Sequence, residues 1–219
     1  MKREIRMTKD GSPTLYVAEL DEHYHSIHGA LQESLHVFID AGLRARNQTQ
    51  VSILEIGFGT GLNALLTAIE AENLNLKVEY TGIEKYPVTV DELARLNFDE
   101  LPSILPSLQL LNNMHEVPWN KPIEITAHFT LTKRQQDFKQ IDDIEKFDLI
   151  YFDAFAPSAQ PNLWTEDIFK RMYNALKANG ILVTYCAKGQ VKRNMKAAGF
   201  SIECLPGPPG KREMTRATK

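Results

Sequence analysis

Three stretches of the sequence combine residue types and spacings that can do chemistry. The first is Glu55-Ile56-Gly57-Phe58-Gly59-Thr60-Gly61-Leu62-Asn63, which joins an apolar run to a stretch of helical period. Bare backbone amides at the start of a helix can receive a nucleotide-like ligand there. The spacing limits which ligand. A dinucleotide fingerprint puts its third glycine at position 62, whereas this chain has Leu62 and places the glycine at 61. The second is Glu84, at the end of the next apolar run, where a carboxylate can accept both hydroxyls of a ribose. The third is Asp153-Ala154-Phe155-Ala156-Pro157, followed by Gln160-Pro161-Asn162-Leu163-Trp164. Asp153 can orient a nucleophile and take its proton, and Phe155 or Trp164 can stack on a planar ring. A turn-capping Asp with core aromatics is the structural alternative.

These stretches are positioned by alternating strands and helices, the pattern of a mostly parallel sheet covered on both faces. Strands are predicted at 51–56, 77–84, 123–132, 147–152, 181–186, 200–205 and 213–217, giving a seven-stranded α/β sheet. Helices are predicted at 62–72, 87–97, 165–178 (stopped by Gly180) and 188–198, with 98–120 irregular. Residues 29–45 read as one N-terminal helix and 1–28 as an arm or hairpin. A single domain is expected, with 1–48 as arm and helix and 49–219 as the Rossmann-like core.

The Glu-x-Gly-x-Gly-x-Gly form resembles the first motif of class I methyltransferases, which bind S-adenosylmethionine. With residues 152–157, Pro161–Trp164 and Gly210-Lys211-Arg212-Glu213-Met214 added, most of the chain resembles the methyltransferase domain of the MnmC family of bifunctional tRNA wobble-uridine modification enzymes. The resemblance implies transfer of a methyl group from S-adenosylmethionine to the amine of 5-aminomethyl-(2-thio)uridine in tRNA. Asp153 would be the catalytic-site acid with Phe155 beside it. Glu55, Gly57, Gly59, Gly61, Asn63 and Glu84 would hold the cofactor, with Gln136 and Asp137 on its adenine side. In-line displacement at a sulfonium requires the amine to be aligned and neutral, and needs no metal. Ala154, Gln160 and Gln136 depart from the glycine, asparagine and glycine common in the family. No second Gly-x-Gly-x-x-Gly follows, so the chain is expected to perform methylation only, with a separate enzyme supplying the aminomethyl group.

The net charge of −3 divides unevenly, since residues 1–169 carry −12 and residues 170–219 carry +9. Clustered cations favour a polyanion, and Lys188, Lys192, Arg193, Lys211 and Arg212, with Trp164, are the candidate tRNA contacts. Glu22-His23-Tyr24-His25-Ser26-Ile27-His28 matches no metal-ligand spacing; it reads as a loop closing over the site or as ordinary surface. Cys186 and Cys204 are expected to be buried, reduced thiols. No apolar run reaches the length of a membrane span and no secretory signal is read at the N-terminus, so the expected compartment is the cytoplasm. A methyltransferase for a small-molecule amine and a non-catalytic cofactor- or RNA-binding module are the competing readings.

Overall fold

The computed structural model describes residues 2–96 and 107–219. Its main sheet has eight strands, in the order β10-β11-β9-β8-β4-β5-β7-β6. These are β4 (Gln50–Ile56), β5 (Lys77–Glu84), β6 (Pro122–Thr126), β7 (Phe129–Gln135), β8 (Phe147–Phe152), β9 (Leu176–Thr184), β10 (Ser201–Pro206) and β11 (Glu213–Thr218). The five central strands pair in parallel. β6, β10 and β11 add antiparallel edges.

The central strands are apolar along their length because both faces are covered. On β4, Val51 and Ile53 enter one core with α2 (Leu62–Leu74) and α4 (Leu108–Glu116), while Leu54 and Ile56 enter a second with α5 (Glu166–Ala175) and α6 (Gly189–Ala197). The sheet is thus a mixed Rossmann-like layer with helices on both sides. No helix among the described residues is long and apolar enough to cross a membrane.

Several expectations about individual elements are corrected. The expected third strand is a hairpin of β6 and β7 about Ala127-His128. Alternation of Ile123, Ile125, Phe129 and Leu131 runs through that two-residue turn unbroken, and no glycine or asparagine marks it, so the sheet gains an eighth strand. The helix expected over 165–178 stops at Ala175, because Leu176 turns extended and pairs with Phe147. Asn179, not Gly180, takes the left-handed conformation there, at φ +60°. The helix expected from residue 87 begins at Val90 (α3, Val90–Arg95), where Thr89 and Glu92 form a reciprocal capping box. Residues 108–116, read as irregular, form α4 with Leu111 and Met114 buried. The stretch 97–106, with Pro102 and Pro106, lies outside the described residues.

The N-terminal helix is broken into α1 (Ala30–Ser34), a π-turn over Leu35–Asp40 and a 3-10 turn over Leu43–Ala45. Val37, Phe38 and Ile39 are all buried, and the wider π-turn carries these consecutive side chains through a narrower arc onto the sheet. The first residues form a three-stranded antiparallel sheet of β1 (Arg3–Met7), β2 (Pro13–Val17) and β3 (Glu22–His23). Arg3 fastens it to the segment after β5 by bonding the carbonyls of Tyr86 and Pro87 and pairing with Glu92 at 2.9 Å. Cys186 is buried as expected, but Cys204 is exposed, because it lies on the outermost strand.

Candidate active site

Register brings the chemical groups together. Ile56 pairs with Ile83 on one side and Phe152 on the other. The residues that follow, Gly57, Glu84 and Asp153, therefore stand abreast at the carboxyl edge of three neighbouring strands, where open α/β sheets hold their ligands. A cavity of about 630 Å³ opens above them, and the N-terminal segment 22–27 contributes to its wall.

The glycine turn is fixed from below. The amides of Gly57 and Phe58 both donate to the Ile83 carbonyl at 3.0 Å. Gly57 has φ +93°, and a side chain there would lie 2.7 Å from the Asp153 carbonyl oxygen. Gly59 lines the cavity beneath the Tyr24 ring. Gly61 does not line it; a side chain there would meet His115, Leu111 and Phe58, so this glycine admits α4 against the turn.

Glu84 is 9% exposed and accepts hydrogen bonds from the amides of Gly59 at 3.1 Å and Tyr86 at 2.8 Å. Burial still raises its pKa, because two amide bonds do not replace a carboxylate's hydration. Thr60 Oγ1 and Asn63 Oδ1, on two further lining residues, are buried without a hydrogen-bond partner among the described residues. An acid short of donors beside unpaired polar atoms fits a ligand with vicinal hydroxyls and a charged polar end.

Asp153 heads the opposite wall. Its amide donates to Ile56 at 3.0 Å and its carboxylate accepts from Asn63 Nδ2 at 2.9 Å. Burial, reinforced by nearby Glu33, pushes its pKa up to about 7, while the Asn63 hydrogen bond and the Lys211 charge oppose the rise. The group therefore exchanges its proton near neutral pH. The second hydrogen of the same Asn63 amide goes to Glu55 at 2.9 Å. Glu55 is fully buried and does not line the cavity, which corrects the expectation that it holds the cofactor directly. Desolvation raises its pKa well above the usual carboxylate range, while the hydrogen bond from Asn63 opposes the rise.

The remaining candidates divide. Phe155 lines the cavity and packs edge-on against Tyr24, ring centroids 5.1 Å apart. Asp137 lines it too, but pairs with Lys85 at 2.8 Å and caps a short 3-10 turn; Gln136 is not among the lining residues. Trp164 is 2% exposed, packed against Phe152 and Phe169, with its indole donating to the Phe155 carbonyl at 2.8 Å. It braces the Asp153 loop and cannot stack on a base, because its faces belong to the core. Lys188, Arg193 and Arg212 are exposed, and Lys192 is partly buried and pairs with Glu213 at 3.4 Å. Lys211 is not on the outer basic surface; it lies in the cavity wall, bound to Glu33.

Glu33 and Tyr185 line the cavity and had no role in the sequence reading; Tyr24 and His25 line it within the segment read as a closing loop or ordinary surface. Residues 22–27 supply part of the wall and His28 does not, and burial lowers the His25 pKa to about 4, so that imidazole is neutral near pH 7. Nothing local marks Glu33, which sits on a helix far from the motifs in sequence.

Comparison with known proteins agrees with this geometry. Residues 107–219 match the family model described as S-adenosyl-L-methionine-dependent methyltransferase. The tRNA 5-methylaminomethyl-2-thiouridine biosynthesis bifunctional protein MnmC of Cupriavidus metallidurans is 33% identical over 230 residues, covering 96% of this chain and 33% of that protein. MnmC of Leptospira borgpetersenii is 32% identical, covering 89% and 32%. The chain thus spans about a third of the length of these relatives. The crystal structure of MNMC2 from Aquifex aeolicus superposes with a TM-score of 0.75 at 26% identity, covering 99% of this chain and 69% of that one. A spermidine synthase in complex with a transition-state analogue shares the fold, at a TM-score of 0.60 and 15% identity. With this match over half its length, the chain belongs to the S-adenosyl-L-methionine-dependent methyltransferases, among relatives named MnmC, and S-adenosylmethionine is its cofactor.

Proposed function

We propose that this chain methylates the amine of 5-aminomethyl-(2-thio)uridine at the wobble position of tRNA. The observation that carries the reading is Asp153, a carboxylate near neutrality at the head of the cavity, abreast of Glu84 and the glycine turn. When bound, S-adenosylmethionine supplies a sulfonium methyl group. Glu84 would accept the ribose hydroxyls, and Thr60 and Asn63 would meet the amino-acid end. Asp153 would accept a hydrogen bond from the acceptor amine, hold it neutral and aligned, and take its proton. Phe155 and Tyr24 offer ring surface for a base. The names of the MnmC relatives support tRNA as the acceptor, and exposed Lys188, Arg193 and Arg212 would contact its phosphates.

The test is incubation with labelled S-adenosylmethionine and tRNA carrying 5-aminomethyluridine, followed by nucleoside mass spectrometry. A gain of one methyl on that nucleoside is expected, strongly reduced in Asp153→Asn. Transfer to a small amine but not to the tRNA would reject the reading in favour of a small-molecule methyltransferase. Cofactor binding without turnover on any acceptor would favour a non-catalytic module.

A further inference from the structure

Two further side chains in the cavity wall, Glu33 and Lys211, form an ion pair. Glu33, from α1, is 9% exposed, and its Oε2 accepts the Ser26 amide at 3.0 Å. Its Oε1 holds the Lys211 ammonium, which also lies 3.9 Å from the centre of the Tyr185 ring. Tyr185 is fixed in turn by donating its hydroxyl to the Ala154 carbonyl at 2.8 Å. Both members of the pair line the cavity with Asp153 and act electrostatically on its carboxyl, in opposite senses.

The hydrogen-bond inventory of the pair is incomplete. An ammonium has three donors, of which Glu33 takes one and the ring face another. Glu33 Oε1 keeps a second acceptor direction. The cavity is therefore offered a donor and an acceptor side by side, at hydrogen-bond separation. The complement of such a pair is a ring N–H adjacent to a carbonyl, the imide edge of uracil.

We propose that Glu33 and Lys211 read the acceptor base, Glu33 accepting from its N3–H and Lys211 donating to its O4. This rests on the reading that the acceptor is a 5-aminomethyluracil. O4 is borne by the carbon next to C5, so the pair grips the edge beside the aminomethyl group that Asp153 receives. Cytosine inverts the pattern, presenting an acceptor at N3 and a donor at the exocyclic amine, and would leave the charged pair mismatched. The substituent at position 2 lies on the far side of N3. Oxygen and sulfur there are consequently treated alike, and 2-thiolation is not a prerequisite.

The test measures kcat/KM on anticodon stem-loops carrying 5-aminomethyluridine, its 2-thio form and its N3-methyl form, for wild type, Glu33→Met and Lys211→Met. Calorimetric binding of S-adenosylmethionine reports folding. Wild type should prefer the N3–H acceptor over the N3-methyl one by about tenfold or more, and treat the 2-oxo and 2-thio forms within about twofold. Each variant should lose about tenfold or more on the N3–H acceptor with cofactor affinity kept, and Glu33→Met should erase the N3-methyl preference. Efficient methylation of aminomethyluridine by wild type, together with equal use of the N3-methyl form or undiminished variants, overturns this inference and leaves the methyl-transfer reading intact. Failure of wild type on every aminomethyluridine overturns both. Should a variant fail to bind cofactor, the wild-type comparison of the N3–H and N3-methyl acceptors decides alone.

Discussion

Replacing Asn63 with alanine removes the amide hydrogen that favours the ionised form of Asp153. A hydrogen bond to a charged group contributes about 1.5–3 kcal/mol, and one pKa unit corresponds to about 1.4 kcal/mol. The Asp153 pKa should then rise by about one to two units from its starting value of about 7. The working form in amine methylation is the carboxylate, so the acid limb of activity moves upward with it. At neutral pH the rate should fall about five- to fiftyfold, and recover towards the wild-type plateau as pH rises. The assay is kcat/KM against pH with saturating S-adenosylmethionine and aminomethyluridine tRNA. Ionisation of the acceptor amine appears equally in both profiles, so the displacement between them isolates the enzyme group. Asp153→Asn should show low activity without the enzyme's own limb. A uniform loss at every pH, with the limb of Asn63→Ala unmoved, would refute the reasoning and reduce Asn63 to a packing residue.

Other perturbations have equally definite outcomes. Gly57→Ala places a methyl group 2.7 Å from the Asp153 carbonyl oxygen at a φ of +93°, and calorimetry should show S-adenosylmethionine affinity reduced by about tenfold or more. Alanine at Lys188, Arg193 and Arg212 together should weaken tRNA binding and flatten its salt dependence by about one unit of slope per lost phosphate contact, with cofactor affinity unchanged. For Asp148, burial opposes ionisation, but Ser52 at 2.6 Å and Lys177 at 2.9 Å outweigh it and depress the pKa. A depressed folded-state pKa stabilises the fold above the ordinary carboxylate range, and that stability is lost as pH falls through the folded value. Asp148→Asn should accordingly destabilise by about 1–3 kcal/mol at neutral pH, with the difference in melting temperature shrinking as pH falls through that value. Trp164→Phe should lower the melting temperature and slow transfer through the loosened Asp153 loop, while leaving affinity for tRNA unchanged, since the indole meets core and not base.

The glycine turn, Glu84 and Asp153 were legible in the chain because each belongs to a local pattern. A turn that needs positive φ demands glycine within a few residues, and a strand buried on both faces is an unbroken apolar run whose end locates its terminal acid. For the same reason β5 and β8 were bounded to the residue. Elements whose pattern is set by distant partners were not. The β6–β7 hairpin turns through an alternation that reads as one strand, the N-terminal helix deforms where three consecutive apolar residues meet the sheet, and α4 packs against α2, β6 and the glycine turn. At the site, the sequence placed Glu55 among the cofactor ligands and Lys211 among the tRNA contacts. Tertiary packing buried the first beneath Asn63 and folded the second inward onto Glu33, which no motif announces. Local sequence determines backbone conformation and which chemical groups occupy the sheet edge; proton affinity and long-range pairing depend on desolvation and on neighbours some 178 residues away, which only the folded chain supplies.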